Sequence, residues 1–126
     1  MKKEIIRTEN APAPIGPYNQ AIKTNGTLYV SGQIALDPKS GELMLDNIEE
    51  ETEMVMENLK AVVEAAGLTM ENIVKTSIFI SDMNNFSRIN EVYGSYFEKD
   101  FPARETVQVS VLPKNVNVEI SCIAVF

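Results

Sequence analysis

Only two stretches of this chain repeat their apolar residues at helical spacing, and both sit among stretches that alternate with the period of two of a β-strand. The first runs from about Ile48 to Ala66, with Ile48, Val55, Leu59, Val62, Val63 and Ala66 on one stripe. Asp46 with Glu49 suits a capping box, Glu49, Glu50 and Glu51 complement the helix dipole, and Gly67 is a natural residue to follow the last turn. The second covers about 84–98, with Phe86, Ile89, Val92, Tyr93, Tyr96 and Phe97 apolar, and Pro102 blocks its continuation. Residues 3–8, 20–24, 27–33, 73–81, 103–112 and 116–125 read as strands. Asn25-Gly26 supplies the positive φ angles of a type I′ turn and joins the second and third strands as a hairpin. The short connection through Pro113 and Lys114 makes the last two strands an antiparallel hairpin as well.

The order is therefore βββαβαββ. It predicts an α+β sandwich, one sheet with two helices packed on one face, formed by residues 1–126 as a single domain. The other face of the sheet must be wet or buried by another subunit. Residues 11–18, with three prolines, read as a stiff loop ending at Tyr18.

Composition narrows the chemistry. The chain has no histidine, so Ser–His–Asp and Cys–His mechanisms are excluded, and one cysteine cannot build a Cys/His zinc site. Proton transfer falls to a carboxylate, a tyrosine, a lysine or Cys122. The formal net charge of −7 and the lack of a Lys/Arg run argue against nucleic acid or an anionic membrane as partner. No run approaches the roughly 18 apolar residues of a membrane span, and no apolar leader follows Lys2 and Lys3. With a lone cysteine, these features fit a reducing cytoplasm.

Alternation sorts the last two strands into faces. Arg104, Thr106, Gln108, Ser110 and Leu112 share one side of residues 103–112, and Glu105, Val107, Val109 and Val111 the other. In the final strand Val116, Val118, Ile120, Cys122 and Ala124 lie opposite Asn117, Glu119 and Ser121. If the polar faces of the hairpin coincide, Arg104 and Glu119 point to the same side and leave room for a small molecule between a cation and a carboxylate. Arg104 has the planar fork that matches a carboxylate, and Glu119 is a candidate general base or acid. Tyr18 could close over a ligand, Gly32 in Ser31-Gly32-Gln33 permits close backbone approach, and Asn90 lies on the polar side of the second helix. Taken singly, each also reads as an ordinary structural residue, and Cys122 reads as a buried, inert thiol.

Together, Glu9-Asn10-Ala11-Pro12, Ile15-Gly16-Pro17-Tyr18, Val30-Ser31-Gly32-Gln33-Ile34, Ala61 to Gly67, Ile73-Val74-Lys75-Thr76, Phe101-Pro102-Ala103-Arg104, Leu112-Pro113-Lys114 and Val118-Glu119-Ile120 resemble the RidA, or YjgF, family of reactive-intermediate deaminases. The resemblance covers essentially the whole chain in order. It implies a chorismate-mutase-like homotrimer with sheets packed around the threefold axis and clefts between subunits. It implies hydrolytic deamination of 2-imino acids such as 2-iminopropanoate and 2-iminobutanoate, which arise from enamines such as 2-aminoacrylate. The products are 2-keto acids and ammonia, no metal or cofactor is involved, and pyridoxal-phosphate dehydratases are a functional link.

By the same resemblance Arg104, Glu119 and Tyr18 are catalytic, Arg104 holding the substrate carboxylate and Glu119 positioning or activating water. Tyr18 lies at the pocket, and Ser31, Gly32 and Asn90 line it. Thr106 stands where many members carry cysteine, and the contact expected there is its backbone N–H. A different class of function on the same fold is a non-catalytic module that senses 2-keto acids or amino acids. Keeping both Arg104 and Glu119 favours the enzyme, because a sensor needs no water-handling carboxylate. A ribonuclease activity, claimed for some relatives, fits poorly with an acidic chain that lacks histidine.

Overall fold

The computed structural model describes residues 2–126. Strands β1 (Glu4–Ile6), β2 (Ala21–Thr24) and β3 (Thr27–Gln33) are followed by helix α1 (Ile48–Ala65), strand β4 (Ile73–Ile80), helix α2 (Phe86–Gly94), and strands β5 (Ala103–Gln108) and β6 (Val118–Val125). The predicted order of six strands and two helices is the observed one, and the β2–β3 turn carries positive φ at Asn25 and Gly26. Gly67 follows α1 at φ +85°, the left-handed conformation that ends a helix cleanly. The cap at the other end is Asn47, whose side chain accepts from the Glu50 N–H at 2.8 Å, not Asp46. Helix α2 stops at Gly94, four residues short of the predicted end, and Tyr96 and Phe97 pack on the core from the turns that follow.

The sheet order is β1-β2-β3-β6-β4-β5. The predicted β5–β6 hairpin does not form. Strand β5 pairs in parallel with β4, Arg104 opposite Thr76, while β6 lies between β3 and β4 and is antiparallel to both. Each helix is thus a crossover between parallel strands, and the β3–α1–β4 unit is split, with a gap that β6 fills. Burial selects the occupant of the gap: Val118, Ile120, Cys122 and Ala124 of β6 are all buried, whereas no residue of β5 is. A reversal through Pro113, Lys114 and Asn115 (the latter two at positive φ) turns the chain without dictating which strand it meets.

Leu28, Val30, Ile78, Ile80, Val118 and Ile120 face α1, whose Val55, Met56, Leu59, Val62 and Val63 are fully buried against them. Among the described residues, the opposite face has no helix. There Ile5, Ile22, Tyr29 and Ile123 form one row across the sheet by register, and Phe79 and Val107 belong to another. Ile5 is 53%, Tyr29 49% and Val107 43% exposed, so these two apolar rows are uncovered in the single chain, with Ser121, Ser77 and Glu105 in a polar row between them. Among the described residues, no helix is long and apolar enough to cross a membrane.

Candidate active site

Strand β5 inverts the usual rule. Val107 faces the open side of the sheet together with Glu105, and Arg104 and Thr106 turn under α2. Arg104 is half-buried there, with its guanidinium 5.1 Å from the Tyr93 ring and 5.6 Å from the Phe86 ring. Its Nη1 donates to Asn90 Oδ1 at 2.7 Å. Tyr93 is fixed in turn by a buried 2.7 Å hydrogen bond between its hydroxyl and that of Thr76. Among the described residues Arg104 has no carboxylate partner; the ion pairs are Lys75–Glu105 and Arg88–Glu49. A concavity of about 320 Å³, lined by Asn90, Tyr93, Gly94, Phe101, Pro102 and Arg104, opens beside the guanidinium.

Thr106 follows on the same side, and its Oγ1 is buried with no hydrogen-bond partner among the described residues. The Val109 N–H donates to Ile80 O at 2.9 Å, so alternate residues Glu105 and Val107 turn their N–H groups towards β4. The N–H of Thr106 then faces the free edge of the sheet.

Glu119 lies on the other face. It stands opposite Phe79 on β4, on the side away from the helices, and β4 separates it from β5. From strand spacing and rise, its Cα is roughly 14 Å from that of Arg104. The expectation that the two residues share a side of the sheet is therefore incorrect for a single chain. It fails because it rested on a direct β5–β6 pairing, and the intervening strand sets each face independently.

The Glu119 carboxyl makes no hydrogen bond among the described residues, and burial pushes its pKa above the ordinary carboxylate value. At Gly32 an added Cβ would meet Glu119 Oε2 at 2.6 Å. Gly32 lies in an irregularity of β3, where Ser31 and Gly32 fall between the paired Val30 and Gln33. The Ser31 hydroxyl turns back to Asn19 O at 2.5 Å and its N–H donates to Gln20 O at 2.9 Å, tying β3 to the proline loop. Tyr18 is 46% exposed at the end of that loop, and its hydroxyl accepts from the Ile15 N–H at 3.2 Å.

The predicted residues thus fall into two groups. Arg104, Thr106 and Asn90 gather under α2 at the β5 edge, while Ser31, Gly32 and Glu119, with the Tyr18 loop beside them, gather around β3 and β6. The chain carries the guanidinium on one side of its sheet and the carboxylate on the other. Cys122 is buried on the helix side with its thiol pushed up to about 12 by burial, too high for nucleophilic use at neutral pH. Sequence reasoning missed the aromatic seat of Arg104, although Phe86, Asn90 and Tyr93 recur at helical spacing. It also missed Glu51, which is fully buried; its place three residues after Ile48 and four before Val55 puts it on the apolar stripe.

The chain matches the family model described as Endoribonuclease L-PSP over residues 8–126. A RutC family protein of Pyrococcus horikoshii is 51% identical over 122 residues, covering 97% of either chain. The 2-iminobutanoate/2-iminopropanoate deaminase of Mus musculus is 45% identical over 123 residues, 98% of this chain and 91% of that one. The crystal structure of a Rid family protein from Yersinia pestis superposes with a TM-score of 0.97 at 51% identity, over 99% of this chain and all of that one. With likeness in sequence and in structure running end to end, the chain belongs to the RidA (YjgF) family.

Proposed function

We propose that this protein hydrolyses 2-imino acids to 2-keto acids and ammonia, at sites where the Arg104 side of one subunit meets the Glu119 side of another in a homotrimer. The observation that carries the reading is an arginine with no carboxylate partner among the described residues, held by Asn90 and two aromatic rings beside an open concavity. A guanidinium so oriented is complementary to a small carboxylate. The deaminase named in Mus musculus acts on two such acids by its name. Placement of Arg104 and Glu119 on opposite faces favours a site completed by assembly, and the uncovered apolar rows of the open sheet face offer the surface for it.

In this reading Arg104 clamps the substrate carboxylate, and the Thr106 N–H at the strand edge assists. Glu119, ionised, takes a proton from water as the water oxygen bonds to the C=N carbon, and the π electrons pass to nitrogen. The carbinolamine then collapses: Glu119 returns its proton to nitrogen, the C–N bond breaks as the C=O bond forms, and the hydroxyl proton passes to the departing nitrogen. Ammonia and the keto acid leave, and water is the only co-reactant. A pKa raised by burial brings Glu119 closer to the range in which one group serves as base and then acid. Tyr18, Ser31 and Gly32 are the proposed lining on the Glu119 side, and Asn90 on the Arg104 side. Substrates released as enamines by pyridoxal-phosphate dehydratases are the proposed source, with the cytoplasm the proposed compartment.

The test couples purified protein to a threonine or serine dehydratase and follows imine loss by semicarbazide trapping. The expected result is less trapped semicarbazone and faster keto-acid release with wild type, and neither with Arg104→Ala. Equal trapping with and without wild-type protein overturns the reading. Binding of a keto acid at Arg104 without turnover would instead make the protein a sensor.

A further inference from the structure

Glu51 sits in the first turn of α1 beside Glu49 and Glu50, where glutamates ordinarily face water and complement the helix end. Unlike them it is fully buried. No lysine or arginine pairs with it among the described residues. Its partners are three N–H groups at the start of β6. The Asn117 backbone N–H donates to Oε2 at 2.7 Å, Asn117 Nδ2 to Oε1 at 2.8 Å, and the Val118 N–H to Oε2 at 3.2 Å. Asn117 is held from the other side by Ser81, whose N–H donates to Asn117 O at 3.0 Å and whose hydroxyl donates to Asn117 Oδ1 at 3.2 Å. Every polar group of Asn117 is engaged, and the residue two places further on is Glu119.

Among the described residues, Glu119 itself has no hydrogen bond to aim it. Its carboxyl is placed by the backbone of β6 and by the gap at Gly32, which admits no Cβ. An apolar residue at position 51 would leave the Asn117 and Val118 N–H groups buried without partners, at the point where β6 enters the sheet. We infer that Glu51 is a positioning residue: its buried carboxylate anchors the first residues of β6 and thereby sets where the Glu119 carboxyl stands. This rests on Glu119 being the group that handles water.

The role is tested with two readouts on the assembled protein, the kcat and KM of imine hydrolysis and the NMR titration of the Glu119 carboxyl carbon. Glu51→Ala is expected to lower kcat by on the order of 10- to 100-fold, the cost of a small misplacement of a reacting group. KM is expected to stay within about threefold, since the Arg104 clamp is untouched. The Glu119 titration should move down towards the ordinary carboxylate value as its enclosure loosens. Glu51→Gln should restore both, because its carbonyl can accept from the two backbone N–H groups while its amide donates to a reversed Asn117 amide.

An unchanged Glu119 titration in Glu51→Ala overturns the inference, as does failure of Glu51→Gln to rescue. Should Glu51→Ala not fold, Asn117→Ala leaves the carboxylate its two backbone donors and must move the titration in the same direction; no movement overturns the inference. If wild type fails to hydrolyse imines, the deaminase reading falls, and the titration alone still decides whether Glu51 places Glu119.

Discussion

Gly32 and Glu119 face each other so closely that an added Cβ on residue 32 would stand 2.6 Å from the glutamate Oε2. The backbone of Gly32 is not in the left-handed region, so alanine can adopt it, and the nearest obstacle is the Glu119 side chain. Gly32→Ala is therefore expected to fold and to displace Glu119, lowering kcat by on the order of 10- to 100-fold. Combined with Glu119→Gln it should cost little more than Glu119→Gln alone, since both act through one carboxyl. Equal losses that multiply in the double variant would count against this coupling.

The pH dependence follows from the same enclosure. Burial raises the Glu119 pKa in the folded state, so the acid limb of kcat/KM should lie above the ordinary carboxylate value of 4.5. For stability the sign is that of a raised acid. The contribution is fully present below the unfolded-state pKa, where Glu119 is protonated in both states, and is lost as pH rises through the folded-state value. Glu119→Gln should accordingly melt higher than wild type at neutral pH, and the difference should vanish below about pH 4. Calorimetric scans across that range check it.

Because Arg104 and Glu119 diverge across the sheet of one chain, two inactive variants should complement each other. Arg104→Ala and Glu119→Gln are each expected to be inactive alone. Unfolded together and reassembled at equal ratio, about one quarter of head-to-tail sites would combine an intact Arg104 from one subunit with an intact Glu119 from the next. Activity returning towards that fraction supports a shared site, and none returning would place both residues in separate roles.

The bare sheet face should be where subunits meet. Val107→Asp adds a charge at a position already 43% exposed in the single chain, so the chain should still fold. Burying that unpaired carboxylate between sheets is unfavourable by several kcal/mol, on the order of the penalty for an isolated buried ion. Sedimentation should show smaller species, with imine hydrolysis lost in parallel. An unchanged mass would put the contact elsewhere.

Much of this architecture was legible from local patterns. The stripe of Ile48, Val55, Leu59 and Val62 gave α1, Asn25-Gly26 gave the β2–β3 turn, and Gly67 the end of α1. Strand neighbours were not legible, because Lys114 and Asn115 reverse the chain equally well towards an adjacent strand or past it. That single ambiguity carried over into the site. Arg104 and Glu119 were each picked out, but the side of the sheet on which each stands depends on β4, which lies between β5 and β6. Glu51 escaped because a glutamate in a first helical turn has a sufficient local reason to be there, and its partners Asn117 and Val118 are 66 and 67 residues away.

Strand β6 comes last of the six in sequence yet lies in mid-sheet, between β3 and β4. Neither half of the sheet can be finished ahead of it. During synthesis the chain must wait with α1 made and two strand edges unpaired, and such edges are templates for pairing with other chains. Time spent before residues 118–125 emerge is thus the period of greatest exposure to misassembly, and a stall late in translation would be more hazardous to this protein than one early on.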